Sequence, residues 1–424
     1  MKQGFMFGTM LVFVLGAFLI LPVCNPKEAK IGGRNHTTRI ESETLTETRD
    51  IFVNLPADYE TSAKRYPVLF VLDGESIFGF AVGAVDFLSI ARIPEMIVVG
   101  IPNTHRERDQ WVSFQPDGGY IRFVEFLKYE LIPYIDAHYR TQPFRIFYGF
   151  CSGVSTCLWT LFTRPEMFEG YIASGAGFDQ AWCDFGKKEL GKYTSLKKFL
   201  FVTTEGTTFR AEGNRMLNHL LETSAPQGLS WKCTIMEGEE HGPLLAKGLF
   251  AGLEFIFKDW RLPIDVAAEG PDAVEKYYVQ LSRIYGFECG VPERPVLDAG
   301  FGLLYYQGKV KAAVDICRFM TEKYPDSPDA FEILGAAYER NNELELARRS
   351  YRVAVQKAKD KFDGRLLAGG AAPLPPPRFI RRLPRGIAVG FRRCSAAITG
   401  RPYRRCLRSL CGCFTGQCGC RGGG

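Results

Sequence analysis

In the first 360 residues of this 424-residue chain, cysteines and histidines do not occur at the spacings typical of metal-binding sites. Seven of the 13 cysteines are scattered through this part, with no Cys-x-x-Cys pair and no zinc-ligand spacing. The other six lie between Cys394 and Cys420. This distribution predicts no metal, no other cofactor and no disulfide framework, and the scattered cysteines are expected to be buried free thiols.

An excess of positive charge is also missing from these 360 residues. The whole chain has a net charge of +6. From Lys361 onward there are 13 lysines and arginines but a single acid, Asp363, so residues 1–360 have a net charge of −6. Nothing in this mildly acidic part predicts a nucleic-acid surface. The tail, residues 361–424, is rich in arginine, cysteine, glycine and proline. A basic arm and a metal-binding end are alternatives there, and disorder is the favoured interpretation.

Charged residues are absent between residues 5 and 23, which form a nearly unbroken apolar run after Lys2. The run is long for a signal peptide and close to membrane-spanning length, so residues 1–24 predict either a cleaved signal or an N-terminal anchor. Val23 stands where a bacterial lipidation signal has a small residue, which disfavours lipidation of Cys24. We expect an exported protein that is periplasmic, extracellular or anchored by this segment.

Apolar runs of strand length alternate with helical patterns over residues 39–260, after a polar linker at residues 25–38. Continuously apolar strands separated by helices indicate a parallel sheet that is covered on both faces. The fold class predicted for this domain is therefore α/β, with a doubly wound and mostly parallel sheet. The predicted strands are residues 50–56, 66–72, 96–101, 146–148, 170–174, 199–203 and 231–236.

Strand patterns are absent after residue 271, and helical patterns replace them. A helix is predicted over residues 272–285, and a 34-residue spacing then relates matching positions. The matched positions are 301 and 335, 304 and 338, 308 and 342, 313 and 347, and 317 and 351. This period resembles tetratricopeptide helix pairs, which bind protein partners. Two units are few for such an array, so we expect the two repeats to pack on the helix at residues 272–285 or on the α/β domain.

One sharp turn lacks the serine that its pattern calls for. A buried run ends at Gly149, and Cys151 and Gly153 follow before a helical pattern begins. Gly-x-nucleophile-x-Gly is the strand-to-helix turn that exposes the nucleophile of α/β-hydrolases, and the glycines permit its close packing. Cys151 is therefore the predicted nucleophile, because a thiol beside a histidine at a helix N-terminus can react near neutral pH.

Only two histidines follow Cys151, and in this fold the acid and the histidine both follow the nucleophile. His219 lies in an amphipathic helical pattern, where a structural role is expected. His241 is predicted in the loop between the last strand and the last helix, and we predict that it is the catalytic base. The acid that orients it should follow a strand, which makes Glu205 the first candidate and Glu212 the second.

Backbone amides are predicted to bind the oxyanion of the reaction. One belongs to Ser152, directly after the nucleophile, and the other to the loop after an early strand, near Gly74 or Glu75. Each such donor lowers the barrier by about 3 kcal/mol.

Several motifs resemble the esterase family of α/β hydrolases that includes esterase D, enterochelin esterases and feruloyl-type esterases. They are Asp73-Gly-Glu75, Ile101-Pro-Asn-Thr-His-Arg-Glu-Arg-Asp109, Glu130-Leu-Ile-Pro-Tyr-Ile135, the turn from Gly149 to Gly153 with Arg164-Pro-Glu-Met-Phe168, and His241-Gly242. The resemblance covers about residues 39–259, and members with C-terminal tetratricopeptide-like helices are also similar to residues 271–360. It implies metal-free hydrolysis of carboxylic esters outside the cytoplasm. The expected substrate is a small-molecule, glycan-type or siderophore-type ester, and peptidoglycan-linked esters also remain possible.

The turn departs from the family's Gly-His-Ser-x-Gly at Phe150 and Cys151. Two functions remain open. The first is an ester hydrolase that forms its acyl-enzyme on Cys151, as dienelactone hydrolases of the same fold use cysteine. The second is an inactive binding or scaffold protein that uses its pocket and its helical repeats. The intact surroundings of His241 favour the first, and the missing serine favours the second.

Overall fold

The computed structural model describes residues 34–105, 109–110, 112, 119–175, 177–206 and 209–367, with side chains excepted at residues 209 and 362–367. The predicted signal or anchor, residues 1–24, lies outside these ranges. Within them, no helix is both long enough and apolar enough to cross a membrane.

Eight strands form a single sheet. They are β1 (Asn35–Ser42), β2 (Glu47–Asn54), β3 (Tyr66–Leu72), β4 (Ile97–Ile101), β5 (Thr141–Phe150), β6 (Gly170–Ser174), β7 (Phe199–Glu205) and β8 (Ser230–Met236). Their order in the sheet is β1-β2-β4-β3-β5-β6-β7-β8. Strand β2 pairs antiparallel with β1 and with β4, and all other neighbours are parallel. The predicted doubly wound, mostly parallel α/β sheet is confirmed.

Helices cover both faces of the sheet and continue after its last strand. They are α1 (Gly74–Leu88), α2 (Gly119–Phe126), α3 (Ile132–His138), α4 (Gly153–Thr163), α5 (Gln180–Leu190), α6 (Phe209–Ser224), α7 (His241–Ile256), α8 (Ile264–Ala268), α9 (Pro271–Tyr285), α10 (Glu293–Tyr305), α11 (Val310–Lys323), α12 (Pro328–Arg340) and α13 (Leu344–Leu367). A single π-helical turn, Leu127–Leu131, joins α2 to α3.

The central strand β3 shows why the sheet forms where the apolar runs predict it. All seven of its residues are buried. Phe70 and Leu72 contribute to the core beneath α2 to α6, whereas Leu69 and Val71 contribute to the core beneath α1 and α7. Because successive side chains of a strand point to opposite faces, a strand that is covered on both faces needs apolar residues at every position.

Two elements of the structure extend across boundaries that the sequence predicts. The linker predicted over residues 25–38 ends earlier, because β1 begins at Asn35 and pairs with β2 along its whole length. This is an edge strand whose polar side chains alternate toward solvent, so it produces no apolar run. Helix α13 likewise continues to Leu367, past the predicted start of the tail at residue 361. Residues 368–424 lie outside the described part of the chain.

Helix α9 shares a core with the α1 and α7 face of the sheet. The Tyr285 ring meets the Phe144 ring edge-on at 5.6 Å between centroids and lies 5.2 Å from the Phe257 ring. The Tyr285 hydroxyl donates to the carbonyl of Ile256 at 3.1 Å. The predicted boundary between residues 39–260 and 271–360 therefore crosses an aromatic core, and the division into two domains stays a prediction.

The helices after α9 repeat at the predicted spacing. Helices α10 and α12, and likewise α11 and α13, begin 34 or 35 residues apart. Gly308 and Asn342 occupy equivalent turns, and both have left-handed backbones, with φ of 65° and 60°. A Cβ at Gly335 would lie 2.8 Å from the Tyr351 ring, so these helices pack closely. The repeat is present in the helix positions, and its tetratricopeptide nature stays a prediction.

Truncation of Tyr285 tests whether the helical region and the sheet form one cooperative core. We expect Tyr285→Ala to lower the free energy of unfolding by about 3 to 5 kcal/mol, because it removes the ring that packs against Phe144 and Phe257 and leaves a cavity there. Tyr285→Phe, the matched control, removes only the hydroxyl and should cost about 1 kcal/mol. The measurement is urea unfolding monitored by circular dichroism. Two separate transitions, with the sheet unaffected by Tyr285→Ala, would contradict the shared core.

Candidate active site

Cys151 lies at the apex of the turn between β5 and α4. Its φ is 53°, a left-handed conformation that costs a non-glycine residue energy and that often marks a functional turn. The Cys151 amide donates to the carbonyl of Ser174 at 3.0 Å, and the residue is exposed. A Cβ at Gly149 would lie 2.3 Å from the carbonyl oxygen of Gly153, so only glycine fits there. The turn therefore has the geometry predicted for a nucleophile elbow.

His241 is the first residue of helix α7. The prediction that placed it in a loop is wrong, because the helix begins about one turn earlier than the sequence predicts. The Gly242-Pro243 pair that follows is a common turn signal. In this chain it lies in the first turn of the helix, where proline is tolerated because its missing N–H has no intrahelical partner. The helix N-terminus places His241 at the same edge of the sheet as Cys151.

Glu205, the last residue of β7, faces His241. The Nδ1 atom of His241 lies 3.2 Å from the Oε1 atom of Glu205, whose side chain is only 3% exposed. Both ring nitrogens of His241 are buried and make no hydrogen bond to any residue that the structure describes. The carboxylate is thus close enough to fix the imidazole, while the second nitrogen stays free to accept a proton.

The imidazole is held between aromatic and backbone surfaces. The Phe150 ring stacks on the His241 ring, with 4.8 Å between centroids and 27° between planes. A Cβ at Gly175 would lie 2.8 Å from the Cε1 atom of His241, and Gly175 has a φ of 77°. Gly175 follows Ser174, whose carbonyl binds the Cys151 amide, so β6 connects the elbow to the histidine.

Arg210 is a second partner of Glu205. Its Nη1 atom donates to Oε1 of Glu205 at 2.5 Å. Burial by itself would raise the pKa of Glu205, but hydrogen bonds from its own backbone and from Arg210, together with the charges of Arg210 and His241, outweigh burial and lower that pKa. Glu205 is therefore held as a carboxylate.

Removal of Arg210 should change how stability depends on pH. A carboxylate whose pKa is lower in the folded state stabilises the fold above its unfolded pKa of about 4.3, and that contribution is lost as pH falls through the folded pKa. We therefore expect Arg210→Met to be less stable than the wild type at neutral pH, with the difference shrinking below about pH 4. Urea unfolding at several pH values measures this. A difference that is the same at every pH would show that Arg210 acts only through packing.

The second-choice residues lie away from this cluster. Glu212 is exposed and pairs with Arg215 at 2.9 Å, and His219 is exposed on α6 with Glu222 at 3.9 Å. Both are placed as ordinary surface residues.

The predicted oxyanion donors lie at two adjacent helix N-termini. Gly74 and Glu75 open α1 after β3, and Ser152 is the cap of α4 after β5, the neighbouring strand. A helix leaves its first amides without an intrahelical acceptor, so they can bind an anion. The preceding residue, Asp73, also has a φ of 53°, so two strained turns stand side by side.

A polar network behind these turns has no counterpart in the sequence prediction. The Oδ1 atom of Asp73 accepts from Nδ2 of Asn103 at 2.6 Å and from Nε2 of Gln110 at 3.0 Å. The Oε1 atom of Gln110 in turn accepts from the Ser152 hydroxyl at 2.7 Å. The network ties the turn after β3 to the nucleophile turn through a nearly buried carboxylate. Asn103 and Gln110 carry no periodic signal, and only the family-like motif after β4 points to this part of the chain.

Cys151 is more exposed than the other thiols that the structure describes. Burial raises the pKa of all five others, to about 11 for Cys289 and about 12 for Cys233 and Cys317, and in the same direction for Cys157 and Cys183. Cys151 is the exposed one of the six. Among the described residues, no group of three or more His, Cys, Asp and Glu side chains is placed to hold a metal ion.

Comparisons with known proteins bear on the family resemblance and on the fold. The sequence model of the family described as Putative esterase matches residues 42–220, which confirms the resemblance inferred from the motifs. An IroE-like serine hydrolase from Shewanella oneidensis is 24% identical, with a TM-score of 0.57, and the match covers 68% of this chain and 99% of that one. No curated protein matches the chain.

A second solved structure extends the likeness beyond the sheet. An uncharacterised protein from Capnocytophaga ochracea is 16% identical, with a TM-score of 0.56. The match covers 76% of this chain and 93% of that one, so it includes part of the helical region after Trp260. The likeness in fold to a solved structure thus extends into the helical region.

Proposed function

Since residues 42–220 match the Putative esterase family, we propose that this protein hydrolyses carboxylic esters or thioesters through an acyl-enzyme on Cys151. The family match supports ester hydrolysis as the class of reaction. The assignment of residues is carried by one observation. An exposed thiol stands at the apex of a strained turn, on the sheet edge where His241 meets the buried Glu205 carboxylate.

In the first half of the reaction, Sγ of Cys151 attacks the carbonyl carbon while Nε2 of His241 takes the thiol proton. A carbon–sulfur bond forms, and the carbonyl electron pair moves to the oxygen, which the amides of Ser152 and of Gly74 or Glu75 bind. The carbon–oxygen bond of the ester then breaks, and His241 gives its proton to the departing alcohol. The product on the enzyme is a thioester.

In the second half, His241 takes a proton from water, and the resulting hydroxide attacks the thioester carbonyl. The same amides bind the oxyanion again. The carbon–sulfur bond breaks, and the sulfur of Cys151 leaves and regains its proton from His241. Glu205 keeps Nδ1 of His241 protonated throughout and stabilises the imidazolium.

The substrate and the location belong to this proposal. We propose a small-molecule ester, of glycan or siderophore type, and export directed by residues 1–24. Protein partners are assigned to the helical repeats, because their 34-residue spacing resembles that of tetratricopeptide helix pairs. N-terminal sequencing of the protein from its native host distinguishes a cleaved signal from a retained anchor.

Alkylation of the purified chain tests the proposed role of the thiol. Iodoacetamide at about pH 6.5 should label Cys151 well before Cys289, the partly buried control, because burial raises the pKa of the latter thiol to about 11. His241→Ala should slow the labelling of Cys151 and leave that of Cys289 unchanged. If Cys151 labels no faster than Cys289 and short p-nitrophenyl esters are not turned over, the inactive binding protein becomes the better description.

A further inference from the structure

The outward face of helix α1 is apolar, which is unusual for a surface helix. Its inward face buries Ile77, Ala81, Ala84, Val85 and Leu88 against the sheet. A surface helix normally presents polar or charged side chains on the opposite side. Here the exposed positions after the first turn are two glycines and two phenylalanines, namely Gly79, Phe80, Gly83 and Phe87.

These rings form one patch with a neighbouring helix. The Phe250 ring of α7 lies 6.3 Å from the Phe80 ring and 6.0 Å from the Phe87 ring, measured between centroids. Phe87 is 63% exposed, and Ile90, just after the end of α1, is 58% exposed. We call Phe80, Phe87, Ile90 and Phe250 the α1–α7 patch. Exposed apolar side chains that cluster on one face in this way are typical of a site of interaction with a protein or a membrane.

Ion pairs border the patch. Arg34 pairs with Asp86 on α1, and Arg92 pairs with Glu254 on α7 at 2.9 Å. An apolar centre with arginines at its edge suits the boundary between lipid headgroups and acyl chains, where phenylalanine enters the apolar layer and arginine meets phosphate.

The position of Arg34 favours a membrane over a protein as the partner of the α1–α7 patch. Arg34 is the first residue that the structure describes, and its partner Asp86 directly precedes Phe87 in the chain. In the sequence, residues 24–33 alone separate Arg34 from the apolar run at residues 5–23. Ten residues span at most roughly 35 Å when fully extended. A retained apolar segment inserted in a bilayer would therefore keep this face of the protein close to the lipid surface.

We infer that the α1–α7 patch rests on the surface of a lipid bilayer, on the side of the domain from which the N-terminal segment leaves. This contact is independent of ester hydrolysis, because no member of the patch belongs to the proposed catalytic cluster. It adds a second point of attachment, and two attachments hold a protein at a membrane far more firmly than one.

Quenching of tryptophan fluorescence by brominated lipid tests the contact in the full chain. Two single variants, Phe87→Trp and Phe80→Trp, each place a tryptophan reporter within the patch. Both positions are exposed enough to accept the larger ring. Tyr129→Trp is the matched control, because Tyr129 is also exposed but lies between α2 and α3, on the opposite face of the sheet. Each variant is reconstituted in phosphatidylcholine and phosphatidylglycerol vesicles with and without bromine on the acyl chains. The wild type gives the baseline of the native tryptophans.

The expected result is a loss of fluorescence in brominated vesicles for the two patch variants beyond the wild-type loss, and no extra loss for Tyr129→Trp. Equal losses in all three variants, or no extra loss in either patch variant, would overturn the inference. So would a concentration-dependent dimer in sedimentation velocity without lipid that Phe87→Ser abolishes, since the patch would then bind a second copy of the chain.

Discussion

Replacing Cys151 by alanine is expected to lower kcat/KM for short p-nitrophenyl esters by a factor on the order of 10⁴ to 10⁶. Alanine keeps the turn and its left-handed backbone but has no atom that can attack the carbonyl. The oxyanion amides and the binding pocket remain, so a small residual rate over water is expected. Initial rates across substrate concentration measure the effect.

The matched control is Cys151→Ser, which differs from the wild type by one atom. Serine needs a general base more than cysteine does, and His241 with Glu205 can act as that base. We therefore expect Cys151→Ser to hydrolyse simple esters at a measurable rate. Full activity in Cys151→Ala would show that another group carries the reaction, and an inactive Cys151→Ser beside an active wild type would show that His241 cannot serve as a base for serine.

Gly149→Ala is expected to lower the free energy of unfolding by about 3 kcal/mol and to abolish activity. The new Cβ would lie 2.3 Å from the Gly153 carbonyl oxygen, a backbone atom that cannot move without pulling α4 away from β5. The elbow would open, and the Cys151 amide would lose its fixed position. Urea unfolding and ester hydrolysis of the same preparation give the two readouts.

The control for Gly149→Ala is the same substitution at Gly79. A Cβ at Gly79 in α1 meets nothing within 4 Å, so alanine there should stabilise the protein by about 0.5 to 1 kcal/mol through its helix preference, without loss of activity. Similar stability for the two variants would contradict the tight elbow. Retained activity in a destabilised Gly149→Ala would show that the turn tolerates movement.

The sequence predicts well what depends on short contiguous segments. Strands β3 and β6 form over the predicted residues, because buried parallel strands need an unbroken apolar run. The nucleophile turn is local as well, so the spacing of its glycines is enough to place Cys151 at the apex. The edge strand β1 escapes prediction because its side chains alternate toward solvent and bury little.

The sequence predicts less well what depends on residues that are distant in the chain. The hydrogen bond between Gln110 and Ser152 and the packing of Phe150 on His241 depend on the relative positions of several strand ends. No single segment of the sequence determines those positions. Arg210 cannot be recognised as a partner of Glu205, since arginine in the first turn of a helix is an ordinary surface residue. His241 is identifiable because so few histidines follow Cys151, but its helical position is not, because Gly242-Pro243 is typical of a turn.

Trapping the acyl-enzyme shows whether Cys151 carries the acyl group during turnover. The wild-type chain is mixed with p-nitrophenyl acetate, quenched in acid during turnover and digested, and the peptides are analysed by mass spectrometry. We expect one acetyl group on the peptide that contains Cys151. It should be absent from Cys151→Ala and longer-lived in His241→Ala, where water is no longer activated. Steady hydrolysis with no acetyl group on Cys151 at any time point would contradict this expectation.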